Sequence, residues 1–494
     1  MRLPVARALV VLAAAGTLAM LGSAGADAAA PAAAGSGSAW GKAVEVRGTY
    51  ALNVGGNASV TSVSCTSRGY CAAGGIYGSS SDDSIVTQAF VVSRQHGRYG
   101  KAQKVPGLAG LTAGLSQIDS VSCASPGNCA AGGYYYNSDE EAAQDAFVVS
   151  ERDGKWGNAI QVAGALNGAG HAEVYSVSCP SAGNCAAAGY FGGPGISDTQ
   201  PFVISQRDGM WGTAVKLPGT AALNADNDAR AFSISCPSAG NCAAGGYYVD
   251  GAGRWQAFVA SQRNGTWHPL IEVPGTAAVN LGGDAWTNSV SCSSHGNCAA
   301  GGFYEASLYN GDTAKWQAFA VSERDGTWGK VVAVLPTASV NDNTPGAAVK
   351  SVSCPSTGNC AASGAYVDPS GALQAFVVSQ RAGKWGKAVE VPGTSALNRG
   401  GAAEALSVSC PSAGNCSAGG FYTGSQSNGQ AFVVSQRNGT WGKAVEVPGT
   451  GKLNIRGNAA LLSLSCPAIG QCSAGGDYKG RGGRLQAFIV SQSG

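Results

Sequence analysis

Residues 232–273 read FSISCPSAGNCAAGGYYVDGAGRWQAFVASQRNGTWHPLIEV, and this stretch decides the fold. Its opening, Ser233-Ile234-Ser235-Cys236, alternates small polar with β-branched or apolar residues, the period of a half-buried strand. Pro237, Gly240 and Asn241 then supply turn geometry, and residues 241–248 form a second strand ending in aromatics. A loop leads to a third strand, QAFVASQR, closed by Asn264-Gly265. That dipeptide marks a type I′ hairpin, because both central residues need positive φ. A fourth strand follows; in other copies it reads TWGKAVEVP, with Lys and Glu suited to a solvated edge and a Pro that ends it.

The unit recurs eight times. First cysteines at Cys65, Cys123, Cys179, Cys236, Cys292, Cys354, Cys410 and Cys466 are 58, 56, 57, 56, 62, 56 and 56 residues apart. Self-similarity on this scale sets the architecture before local propensity does. Asn-Gly or Asp-Gly closes the third strand in five copies: Asp153-Gly154, Asp208-Gly209, Asn264-Gly265, Asp325-Gly326 and Asn438-Gly439. Four-stranded antiparallel units in series form a propeller or a solenoid. The ends choose between them. The last copy stops at Ser491-Gln492-Ser493-Gly494, before a fourth strand, whereas residues 39–46, AWGKAVEV, are a fourth strand with nothing before it. The expected fold is therefore an all-β, eight-bladed β-propeller of four-stranded blades, its ring closed by the N-terminal strand completing the last blade.

Ahead of that strand, Arg2 and Arg7 precede an apolar run at 8–22, and Ala26-Asp27-Ala28 offers small residues for cleavage. This is the pattern of an export signal, with cleavage expected near Ala28, an Ala/Gly/Ser linker over 29–38 and the propeller over 39–494. Removing Arg2, Arg7 and Asp27 changes the balance from 31 basic and 29 acidic residues to 29 and 28, so the mature chain carries +1. Without clustered Lys/Arg, nucleic-acid binding is not expected. No second long apolar run follows, so a soluble, secreted monomer without membrane insertion is expected. The 75 glycines suit tight turns and closely packed strands.

The 16 cysteines fall as Cys65/Cys71, Cys123/Cys129, Cys179/Cys185, Cys236/Cys242, Cys292/Cys298, Cys354/Cys360, Cys410/Cys416 and Cys466/Cys472. The uniform gap in an exported chain favours one disulfide per copy. Each pair flanks a hairpin loop, where opposed residues are expected about 4.5–5.5 Å apart, within disulfide reach. Each bridge contributes roughly 2 kcal/mol in the chain-entropy account. The competing reading, zinc, needs four ligands drawn from two distant copies. No metal or cofactor is expected.

Two resemblances can now be stated. The stretch SERDGTWG, residues 322–329, is similar to the Asp-box of sialidase-type propellers, Ser-x-Asp-x-Gly-x-x-Trp. Here Arg324 stands two after Ser322, and the Gly-to-Trp spacing is one residue shorter. Copies reading SVSCPSAGNCAAGGYY…QAFVVSQRNGTW resemble repeats of exported, largely uncharacterised actinobacterial proteins over nearly all of 40–494. These resemblances imply propeller architecture and export, and bring no active site.

In such a ring the first-to-second and third-to-fourth hairpins share one face, nearly constant between copies. The second-to-third and fourth-to-first loops share the other, and they vary. Binding sites commonly sit on loops held by a rigid frame. Six residues ahead of each first Cys stand Ser59, Gln117, Glu173, Arg230, Trp286, Ala348, Glu404 and Ala460; four ahead stand Thr61, Asp119, Tyr175, Phe232, Asn288, Lys350, Leu406 and Leu462. Both series should gather at the axial mouth, and Asp119, Glu173, Tyr175, Arg230, Trp286, Asn288, Lys350 and Glu404 are the candidate ligand contacts. Two aromatic columns are read as packing: the tyrosines and phenylalanine ending the second strands, and the tryptophans (Trp40, Trp156, Trp211, Trp267, Trp328, Trp385, Trp441) after the hairpin turn, taken as inter-strand contacts. Loop acids Asp82/Asp83 and Asp139/Glu140/Glu141 have no calcium-loop spacing. The recurrent SxS positions read as scaffold, and no catalytic residue is singled out. An exported, non-catalytic binding module for carbohydrate or cell-surface partners is the expected function. The alternative is a carbohydrate-active hydrolase or lyase, which needs two mouth carboxyls about 5–10 Å apart.

Overall fold

In the copy that opened the sequence, the strands run Ala229–Ser238, Asn241–Val249 and Trp255–Arg263, followed by an outer strand in two pieces, Thr266–Trp267 and Ile271–Glu272. The computed structural model describes residues 39–67, 69–80, 86–112, 114–137, 143–164, 166–167, 170–192, 198–306, 315–334 and 346–493. The expected leader at 1–28, the linker at 29–38 and the acids at 82, 83 and 139–141 lie outside the described residues. Eight antiparallel sheets of this kind make eight blades. Their inner strands are Ser59–Ser67, Ser116–Ser125, Ala172–Ser181, Ala229–Ser238, Ala285–Ser294, Ala347–Ser356, Ala403–Ser412 and Ala459–Ser465, numbered here as blades 1 to 8. The N-terminal strand completes blade 8: Ala39 and Trp40 pair with Ser493 and Gln492, and Val44 and Glu45 with Ile489 and Phe488.

The outer strand was expected to be continuous. It breaks because its middle residue serves the neighbouring blade: the N–H groups of Ala43, Ala159, Leu270, Val331 and Ala444 donate to Pro448, Pro106, Pro218, Pro274 and Pro392 of the preceding blade. The hairpin expectation extends further than five copies. His96-Gly97 and Ala382-Gly383 also carry positive φ at both positions, alongside the Asn-Gly and Asp-Gly turns.

All eight disulfides form within their copies: Cys65–Cys71, Cys123–Cys129, Cys179–Cys185, Cys236–Cys242, Cys292–Cys298, Cys354–Cys360, Cys410–Cys416 and Cys466–Cys472. This places the folded chain in an oxidising environment. The expected Cα spacing needs correction. It is 3.9–4.1 Å, shorter than that of freely paired strands, because the two chains are tied just before the turn, where the register shifts between Cys65 and Ser67 and at the equivalent points. The second cysteines, Cys71, Cys129, Cys185, Cys242, Cys298, Cys360, Cys416 and Cys472, are all buried, at 2–8% exposure. All but Cys71 pack in the hydrophobic clusters between blades and act as scaffold there.

The SxS serines hold the ring together. At each of the eight junctions, two serine Oγ atoms of one inner strand accept backbone N–H groups of the next, at 2.9–3.2 Å. Ser463 and Ser465 of blade 8 do this for Val63 and Cys65 of blade 1, so the closing junction matches the others. Blades approach closely because glycine allows it: a Cβ on Gly245 would meet Thr287 Cγ2 at 2.5 Å. Ser235→Ala leaves the Cys292 N–H of the next blade without its acceptor and is expected to cost about 1–2 kcal/mol. Denaturant midpoints with unchanged slope would measure it.

The second-strand aromatic column is blade packing, with Tyr77, Tyr135 and Tyr366 among the largest fully buried side chains. The tryptophan column makes the expected inter-strand contacts, each residue pairing with the third strand of its own blade, and it also joins blades: Trp156, Trp211, Trp328 and Trp385 donate Nε1–H to Ser93, Ser150, Ser261 and Ser322 of the preceding blade. The fourth-to-first loops are also less variable than they read. A buried Thr caps a turn at Thr49, Thr220, Thr276, Thr394 and Thr450. Buried or nearly buried Asn53, Asn280, Asn398 and Asn454 then bind backbone carbonyls of the preceding blade.

Candidate functional site

Every inner strand is interrupted by a bulge, and that bulge builds the axial mouth. In blade 4, Arg230 pairs with Tyr247 and Ala231 with Gly246, but Ser233 pairs with Gly245, leaving Phe232 extra. An extra residue turns the parity of the strand. The side chains six and four before the Cys therefore face the mouth, and the serines beyond the bulge still reach the next blade. The geometry depends on a glycine. A Cβ on Gly246 would meet the Arg230 carbonyl at 1.8 Å, and Gly302 and Gly420 stand in the same relation to Trp286 and Glu404.

The candidates separate into two groups. Asp119, Glu173, Tyr175, Arg230 and Trp286 belong to blades 2–5 and form one connected surface. The Arg230 guanidinium carbon lies 4.3 Å over the Tyr190 ring, and Nη1 donates to the Tyr175 hydroxyl at 3.4 Å. Asp228 lies 3.8 Å from Arg230 and accepts the Tyr247 hydroxyl at 2.9 Å. From Tyr190 the rings continue through Tyr175, Phe232, Tyr247, Trp286 and Phe303 to Trp316, seven in all, with neighbouring centroids 5.1–5.6 Å apart. Trp316 at the outer end is 37% exposed. Asn288 is occupied otherwise, donating to the Val349 carbonyl of the next blade at 2.8 Å. Lys350 and Glu404, in blades 6 and 7, pair with each other at 3.8 Å.

Two acids next to this arc, Asp119 and Glu173, are electrostatic neighbours. Asp119 accepts the Gln117 amide on one oxygen, and Glu173 lies near enough for its charge to act on Asp119. Burial, and then the charge of Glu173, pushes Asp119 well above the usual carboxylate range. Burial raises Glu173 to about 7 against the lowering pull of Arg230. Glu173 also accepts Gln144 Nε2 at 3.3 Å. Glu404, the other mouth acid weighed for glycoside cleavage, stands four blades from Glu173 and is paired with Lys350.

A carboxyl whose pKa is raised on folding contributes stability below its unfolded value, near 4.3, and that stability is lost as pH rises through about 7. Glu173→Gln is therefore expected to match the parent at pH 4 and to exceed it at pH 8 by about 1–2 kcal/mol, since the amide also forgoes the attraction of Arg230. Denaturant titrations at the two pH values test the sign.

Tyr190, Tyr247, Phe303, Trp316 and Asp228 are mouth residues that the inner-strand columns did not include. For Tyr190, Tyr247 and Phe303 a signal was present: in blades 2–5 and 7 the second strand ends in two consecutive aromatics, and the first of each pair lies opposite the mouth-facing inner residue, as Tyr247 does opposite Arg230. In blade 8 the same position is Asp477, raised to about 6 by burial and bonded by Ser59 at 2.9 Å. A cleft of about 310 Å³ lies elsewhere, between blades 3 and 4 on the opposite face.

No family model matches the chain, and no curated protein matches it. Among solved structures it is similar to a protein of unknown function from Dyadobacter fermentans, at 10% identity over 93% of this chain and 100% of that one, with a TM-score of 0.41. It is also similar to a Hadza microbial sialidase, at 11% identity over 83% and 74% of the two chains and a TM-score of 0.39. An ulvan lyase bound to -[GlcA(1-4)Rha3S]- matches at 10% identity over 92% and 97%, with a TM-score of 0.44.

Proposed function

We propose that this chain is an exported, non-catalytic binding module that takes a glycan of a cell surface at its axial mouth. One observation carries the reading: copies of a single unit share their scaffold, yet among the described residues blades 3–5 alone place a continuous arc of seven rings at the mouth. Such rings offer the apolar faces against which the C–H side of a sugar packs, and a few placed polar groups then fix its orientation. Arg230, Glu173 and Asp119 stand at one end of the arc. Trp286 Nε1, at the middle of the arc, is buried without a hydrogen-bond partner among the described residues, a state that a ligand hydroxyl would relieve. The leader-like pattern of residues 1–28 and the eight disulfides support an extracellular setting. A glycan array, combined with pull-down from the producer's own envelope, is expected to return a saccharide ligand. Silence in both overturns the proposal.

A further inference from the structure

On the face opposite the mouth a three-residue device seals the blade junctions. A third-strand Ser of one blade meets a Gln or Glu and a Trp of the next. Ser150 accepts Gln206 at 2.8 Å and Trp211 at 3.1 Å, and Ser322 accepts Gln380 at 2.7 Å and Trp385 at 3.2 Å. Ser93 and Ser261 instead donate to Glu151 and Glu323, and Ser379 accepts Gln436. Ser435 and Ser491 pair with Ser417 and Ser473 of their own blades. Among the described residues, Ser205 is the one serine of this series whose side chain has no partner.

Its counterpart Gln262 turns away, donating weakly to the Gly265 carbonyl at 3.3 Å. Gln262 is only 3% exposed, and its Oε1 is buried without a donor. The sealed junctions 1/2, 4/5 and 5/6 keep spaces of about 10 Å³ each. Between blades 3 and 4 the space is about 310 Å³, adjoining a second of about 240 Å³ through Ser205, Arg207, Gln262 and Gly265. An unpaired buried acceptor costs free energy that a bound donor returns.

The geometry points to a second ligand site here, taking one neutral sugar residue. Its volume is at the small end of sites that enclose an organic ligand. Gln262 Oε1 and Ser205 Oγ accept hydroxyls at the bottom, next to the Cys236–Cys242 disulfide. Arg207 and Asp208 both line the opening, so their charges offset and together they suit a diol rather than an ion. Trp267 and Met210 give the adjoining space an apolar wall. The site shares no residue with the mouth and stands independently of it.

The test uses the full mature chain carrying 5-fluorotryptophan, with the Trp267 resonance assigned by Trp267→Phe. Methyl glucoside, galactoside, mannoside and glucuronide are the probes. At least one neutral glycoside is expected to shift the Trp267 signal saturably, and Trp286→Ala leaves that shift in place. Gln262→Glu installs the residue that seals junctions 1/2 and 4/5 and is expected to weaken binding at least about tenfold. No saturable shift with any probe overturns the site, as does a response to glucuronide alone or a shift that survives Gln262→Glu.

Discussion

A chain that lacks residues 39–46 is expected to lose on the order of 5–8 kcal/mol of stability, a large part of what a protein usually has. The segment contributes hydrogen bonds from Gly41 N to Ser491 O, Ala43 N to Pro448 O and Val46 N to Ala487 O, at 2.7–3.0 Å. Glu45 accepts the Tyr478 hydroxyl at 3.1 Å. Each such bond contributes about 1 kcal/mol net. Val46 is 1% exposed and packs with Ala58, Val60 and Ile489, adding about 1.5–3 kcal/mol. The deletion also leaves the third strand of blade 8 as an unpaired edge. Guanidinium unfolding of the mature chain with and without the segment measures the difference. Equal midpoints would show that the closing strand is ornamental.

The second large effect concerns binding. Trp286→Ala removes the ring that contacts Phe232, Tyr247 and Phe303 at once, and so breaks the arc at its centre. Central aromatics of a binding surface typically carry about 2 kcal/mol or more, so affinity for the array-identified glycan is expected to fall roughly 30- to 100-fold. Arg230→Met, which keeps the packing over Tyr190 but deletes the donors, is expected to cost about tenfold. Lys350→Ala, across the mouth and already paired with Glu404, should change affinity less than about twofold. Titration calorimetry reads all three. Equal losses at Trp286 and Lys350 would place the ligand away from the arc.

Much of the ring was legible in the residues, because its cues are local and recur: a Cys pair in all eight copies, a hairpin dipeptide in five, and one pair of complementary ends. What escaped reading depends on contacts between copies. Ser233 and Ser235 look like ordinary polar strand positions, and only the neighbouring blade reveals their role as acceptors for Val290 and Cys292. The break in the outer strand has the same origin, since Leu270 answers to Pro218. At the mouth, the inner-strand candidates were chosen by parity alone, whereas the bulge leaves residue 232 unpaired between positions 231 and 233. Tyr247 and Phe303 required the register between two strands of one copy, and the proximity of Asp119 to Glu173 required the spacing between blades.

The serine pairs have a further consequence for how such a chain changes over generations. Every blade brings two acceptors for its successor and two donors for its predecessor, always in the same rotational sense. Duplicating or dropping a whole copy therefore leaves no joint chemically unmatched. Angular fit alone limits the number of copies, and novelty can accumulate in single blades, as it has in three of these eight, without renegotiating the hoop.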